Sequence, residues 1–109
     1  MNLETHRRRR GHVFLPSEVA AKIPQLYSTE EIAMPDKVVH LHYFVGGCDW
    51  WVVELDRTGL LAFGYADLGH GFGEWGYFSL QELADLEVGP LIVERDVRWT
   101  PKRWEDVRR

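Results

Sequence analysis

A chain of 109 residues has room for one domain and one core. Five Trp, four Tyr and five Phe allow a dense aromatic core, while the single cysteine, Cys48, excludes an internal disulfide and a cysteine-based structural zinc site. No apolar run approaches the roughly 18 residues of a membrane span, and Val13-Phe14-Leu15 is too short for a signal-peptide core, so a cytoplasmic protein is expected.

The net charge of −4 is unevenly spread: residues 1–10 carry +3, residues 97–109 carry +3, and residues 11–96 carry −10. An acidic body with basic ends is either a solvated surface or a body that presents carboxylates to a basic partner.

In chain order, residues 1–12 read as a disordered basic arm, since Arg7, Arg8, Arg9 and Arg10 repel one another beside little that is apolar. Residues 13–109 read as a single α+β domain, a mainly antiparallel sheet of about five strands with two or three short helices. Pro16 to Tyr27 predicts a first helix, with Val19, Ile23 and Leu26 at helical spacing and Pro24 kinking or ending it. Met34-Pro35-Asp36 predicts a loop. Val38 to Val45 and Asp49 to Asp56 predict a hairpin around a three-residue turn, Gly46-Gly47-Cys48, with Tyr43 opposite Trp51 and Leu41 opposite Val53. Asp56-Arg57-Thr58-Gly59 predicts the next turn, with Gly59 left-handed, and Leu60 to Leu68 the third strand. After the glycine-rich stretch 69–73, Glu74 to Phe78 predicts a fourth strand.

Ser79 stands three residues before Glu82 and ahead of Leu80, Leu83 and Leu86, which is the spacing of a capping box opening a helix. Val88-Gly89-Pro90 breaks the chain, Leu91 to Trp99 predicts a fifth strand, and Trp104 is expected to dock back on the body.

The order of these segments is familiar. Leu15-Pro16-Ser17-Glu18, Ile23-Pro24-Gln25-Leu26-Tyr27, Trp50-Trp51-Val52-Val53-Glu54, Gly76-Tyr77-Phe78-Ser79-Leu80-Gln81-Glu82-Leu83 and Glu94-Arg95-Asp96 before Pro101 resemble the small bacterial and mobile-element family catalogued as domain of unknown function 2958. The likeness covers roughly residues 15–106 and leaves out the Arg-rich start. It implies a setting on plasmids, phages and conjugative elements, beside genes that manage DNA or evade host defence, and it implies no catalytic residue.

Three constellations are candidates for chemistry. In the register above, His40 and His42 share a sheet face with Trp50 and Glu54, a candidate surface site. The two imidazoles and the carboxylate suit a divalent ion or acid–base work, or form a polar strand face without function. Glu94, Arg95 and Asp96 form a second group. A buried Arg95 calls for a carboxylate, with Asp67 or Glu74 as partners. The third is the Arg7–Arg10 arm, a candidate for salt-dependent phosphate contacts. The glycine-rich loop around His70 lacks the Lys-Ser/Thr of a P-loop.

The leading expectation is a non-enzymatic acidic module with a protein partner and no cofactor, acting on a host DNA-processing or defence factor. The alternatives are a small metal-assisted hydrolase or nuclease using His40, His42 and Glu54, and nucleic-acid binding through the arm.

Overall fold

The computed structural model describes residues 2–108, so Met1 of the expected arm and Arg109 of the expected domain lie outside the described residues. Its frame is an antiparallel sheet of five strands in the order β5-β4-β3-β2-β8. The strands are β2 (Leu41–Val45), β3 (Cys48–Asp56), β4 (Leu61–Asp67), β5 (Gly73–Ser79) and β8 (Glu94–Arg95). Two small ladders flank it: β1 (Val38–Val39) with β9 (Lys102–Arg103), and β6 (Glu87–Val88) with β7 (Leu91–Ile92). Three short helices, α1 (Arg7–Arg10), α2 (Ser17–Ala20) and α3 (Leu80–Asp85), complete an α+β domain. Among the described residues no helix is long and apolar enough to cross a membrane.

Both sheet faces are covered. On the inner face Leu41, Tyr43, Trp50, Val52, Leu55 and Ala62 pack with Phe14, Ile23, Leu80, Leu83 and Val93. Tyr43 stacks on Phe14 with centroids 4.4 Å apart and donates its hydroxyl to the Phe14 carbonyl at 2.8 Å. Full burial drives this phenol far above its ordinary pKa, so it stays a neutral donor. On the outer face Trp51 and Val53 pack with Val39, Trp104 and Val107. Trp104 meets Trp51 edge-on at 5.5 Å and Trp75 at 5.1 Å, so the C-terminal segment docks as expected.

Local chemistry explains where the elements start and stop. Ser79 Oγ accepts the Glu82 N–H at 3.1 Å, so the helix starts at the residue after the cap, as its spacing predicts. Gly64 is required because a Cβ there would sit 1.8 Å from the Trp51 carbonyl oxygen. The predicted first helix is cut to Ser17–Ala20, since Pro24 lacks an N–H and its carbonyl instead accepts the Leu55 N–H at 2.9 Å. The predicted fifth strand is split into β7 and β8, which pair with different partners.

Two turns differ from expectation. Val45 pairs with Cys48, so the β2–β3 loop is the two residues Gly46 and Gly47, with Gly46 at φ 55°. Tyr43 therefore faces Trp50 and Leu41 faces Val52. In the next turn the left-handed residue is Leu60 at φ 59°, not Gly59. The Leu60 N–H is held by the Asp56 carbonyl at 2.7 Å, and the side chain packs against the inner core.

The basic start is ordered where disorder was expected. Residues 7–10 form a helical turn closed by Gly11 at φ 83°. Arg10 is buried, donating Nε to the Val93 carbonyl at 2.7 Å and Nη2 to the Ala84 carbonyl at 3.1 Å, with its guanidinium 4.5 Å from the Phe14 ring centroid. Charge repulsion among the four arginines is outweighed because Arg10 leaves the row and enters the core.

Candidate functional site

The observed register separates His40, His42 and Glu54. His42 lies opposite Trp51 on the outer face and stacks on it at 5.1 Å and 7°. Its Nε2 lies 2.8 Å from Asp49 Oδ1 and its Nδ1 3.3 Å from Asp96 Oδ2. Carboxylates only accept, so both contacts are hydrogen bonds when both ring nitrogens carry protons. This clamp ties β2 to the segment after β8. His40 instead lines a small cleft with Val19, Lys22 and Trp99, where burial lowers its pKa. Trp50, expected at the surface, is buried in the inner core. Among the described residues no group of three or more His, Cys, Asp or Glu is placed to hold a metal ion.

The second constellation is divided by topology. Arg95 is on β8 and Asp67 and Glu74 are on β4 and β5, toward the opposite edge of the sheet. With strands about 4.8 Å apart, two intervening strands for Asp67 and three for Glu74 keep these groups well beyond ion-pair reach. Arg95 Nε donates to the Val13 carbonyl at 2.9 Å, while Asp96 serves His42 and also accepts the Arg98 N–H at 3.1 Å. Glu94 is exposed, and Asp67 caps its own turn through the Gly69 N–H at 2.9 Å. In the arm, Arg9 pairs with Glu87 at 2.6 Å and Arg10 is buried, which leaves Arg7 and Arg8 exposed without a described ion pair.

Glu54 belongs to a different site, which starts with a β-bulge. Val52 pairs with Gly64 and Glu54 with Phe63, so Val53 is the extra residue, and Glu54 turns toward the outer face. There it anchors the long loop between α2 and β1. The Tyr27 N–H donates to Glu54 Oε1 at 2.8 Å and the Thr29 N–H to Oε2 at 3.2 Å. The Thr29 hydroxyl also donates to Oε2, and Lys37 Nζ donates to that hydroxyl at 2.8 Å and to the Thr29 carbonyl. Lys37, Thr29 and Glu54 are all buried. Tyr27 sits at φ 68°, an uncommon conformation for a residue with a Cβ, held by its N–H bond to Glu54.

Above this network lies an open groove of about 340 Å³. Tyr27, Ile32, Met34, Phe63 and Tyr77 form its walls and Glu30 stands at its rim. Tyr77 tilts against Phe63 at 5.1 Å and against Tyr27 at 6.0 Å, and Phe63 stacks on Trp75 at 5.8 Å. The Tyr77 phenol is held above its ordinary pKa, first by desolvation and then by Tyr27. Both Glu54 oxygens and the Lys37 ammonium are engaged inward, so the groove offers rings and aliphatic groups rather than a poised base or nucleophile. Sequence reasoning missed Thr29, Lys37 and Tyr27. Their one signal is that Glu54 sits within an apolar run, and Lys37 directly precedes one, where an unpaired charge is costly.

The class these features define is an α+β domain whose antiparallel sheet carries an aromatic groove at one end of its outer face. Residues 15–104 match the family described as "Protein of unknown function (DUF2958)", and the chain belongs to that family. No curated protein and no solved structure matches the chain.

Proposed function

We propose that this domain is a non-enzymatic protein-binding module that docks a basic partner in the groove and on the aromatic outer face beside it. In this reading it serves a mobile element as an accessory or counter-defence protein, acting on a host DNA-processing or defence factor. The observation that carries the binding reading is the set of rings left in solvent, with Tyr27 60% and Tyr77 51% exposed beside half-buried Phe63 and Trp75. Tyrosines and tryptophans around a pocket are the residue types that dominate binding energy at protein interfaces. The charge of −10 over residues 11–96, with Glu30 at the groove rim, favours a basic partner. The mobile-element setting is supported by the family likeness alone.

The test is a binding measurement on a partner captured from host extract and then purified. Raising salt from about 50 to 500 mM shortens the screening length severalfold and should weaken the complex. Glu30→Lys should lower affinity about tenfold, or roughly 1.4 kcal/mol, and Ile32→Ala should lower it further by removing groove wall. An affinity that none of the three changes would remove this reading.

A further inference from the structure

Strand β5 is the outer edge of the sheet, paired with β4 on one side only. The phase of that ladder follows from one bond: the Leu80 N–H donates to the Leu60 carbonyl at 2.9 Å, while Leu61 lies opposite Ser79. Pairs therefore alternate, with Ala62–Phe78, Gly64–Gly76 and Ala66–Glu74 exchanging hydrogen bonds. Gly73, Trp75 and Tyr77 turn their backbone N–H and C=O groups outward, and Ser79 does so with its N–H, while the Ser79 carbonyl serves the start of α3.

Edges of this length are ordinarily protected by lysine, proline or a bulge. Strand β5 has none of these. Its sequence is Gly-Glu-Trp-Gly-Tyr-Phe-Ser and its ladder to β4 is regular over all seven residues.

We infer that a second copy of this chain covers the edge, with the two β5 strands pairing antiparallel about a twofold axis through Gly76. The outward residues are spaced symmetrically around Gly76, so this register sets Trp75 opposite the second copy's Tyr77 and Gly73 opposite its Ser79. Trp75 and Tyr77 then exchange both backbone bonds with the second copy, and the Ser79 N–H meets its Gly73 carbonyl. Gly76 meets its own copy in a close, non-hydrogen-bonded pair, and space is open at its Cβ position. Glu74, the one charged residue of the strand, faces the second copy's Phe78 and not its own copy. The opposite edge is closed by comparison: β8 is two residues long, and the Arg95 N–H donates to His12 Nε2 at 3.2 Å. With one open edge in the five-stranded sheet of each chain, this twofold pairing closes as a dimer and does not propagate as a filament.

The area fits a modest dimer. Tyr77 is 51% and Phe72 83% exposed beside the edge. Seating these rings with the paired backbone buries on the order of 1,000 Å² in total, near the lower end for a specific interface. The pairing also joins the two outer aromatic faces into one surface, yet it stands without the function proposed above.

Sedimentation velocity from roughly 5 to 500 µM covers the window in which an interface of this size assembles. A monomer–dimer equilibrium is expected, and Tyr77→Lys should hold the chain monomeric throughout while Glu94→Lys, on β8 at the opposite edge of the sheet, should not. Amide exchange on the unmodified chain gives a second readout. The Trp75 and Tyr77 N–H groups should gain protection at least tenfold with concentration, while those of Gly76 and Phe78, already bonded to β4, should not. A chain monomeric across the range, assemblies larger than two, a dimer that Tyr77→Lys leaves intact, or outward amides indifferent to concentration would each overturn the inference.

Discussion

Thr29 separates two buried charges with one hydroxyl. Lys37 donates to it and it donates to Glu54, so ammonium and carboxylate are joined through a third group in place of direct contact. Thr29→Val keeps the shape, removes the link, and leaves both charges short of a partner. Hydrogen bonds to charged groups contribute about 1.5–3 kcal/mol, and a loss in that range is expected in urea unfolding. Thr29→Ser, which keeps the hydroxyl, should recover most of it. Equal losses in the two variants would show that the methyl, not the hydroxyl, holds the loop. This site was poorly legible in the sequence. Glu54 was visible as a carboxylate on a strand, but its partners Tyr27 and Thr29 lie 27 and 25 positions away in a loop of weak pattern.

At the scale of elements, the strands β3, β4 and β5 and the capped helix α3 were readable, because alternation, turn residues and the Ser79–Glu82 spacing act locally. Register was not. Hydrophobic alternation fixes register only where one sheet face is wet, and in β3 every residue from Trp50 to Leu55 is buried. A one-residue difference at the Gly46-Gly47 turn then moved Trp50 into the core and His42 onto the opposite face. The docking of Trp104 was legible because a large indole near a chain end has few other places to go. Its ring neighbours Trp51, Tyr65 and Trp75 make it the cover of the outer face. Trp104→Ala should cost about 3–5 kcal/mol, the usual range for a buried Trp, lowering the urea midpoint and raising amide exchange in β1 and β9. A loss under about 1 kcal/mol would mean that the outer face holds without its lid.

For the whole molecule, acid sensitivity follows from where two histidines sit. Burial lowers the pKa of His40, and burial followed by the Arg95 charge lowers that of His12. His12 also accepts the Arg95 N–H at Nε2, a bond that only an unprotonated nitrogen makes. Both groups therefore titrate lower in the folded chain than their ordinary value of 6.5 in the unfolded one. Between those two values the unfolded state binds more protons, so stability rises with pH there, is complete above 6.5, and is lost as pH falls through that window. Melting temperature should therefore fall as pH drops below 6.5. His40→Gln and His12→Gln should each flatten part of that fall. The difference between each variant and the unmodified chain reports that histidine alone. If both variants keep the full slope, acid sensitivity does not begin at these two histidines.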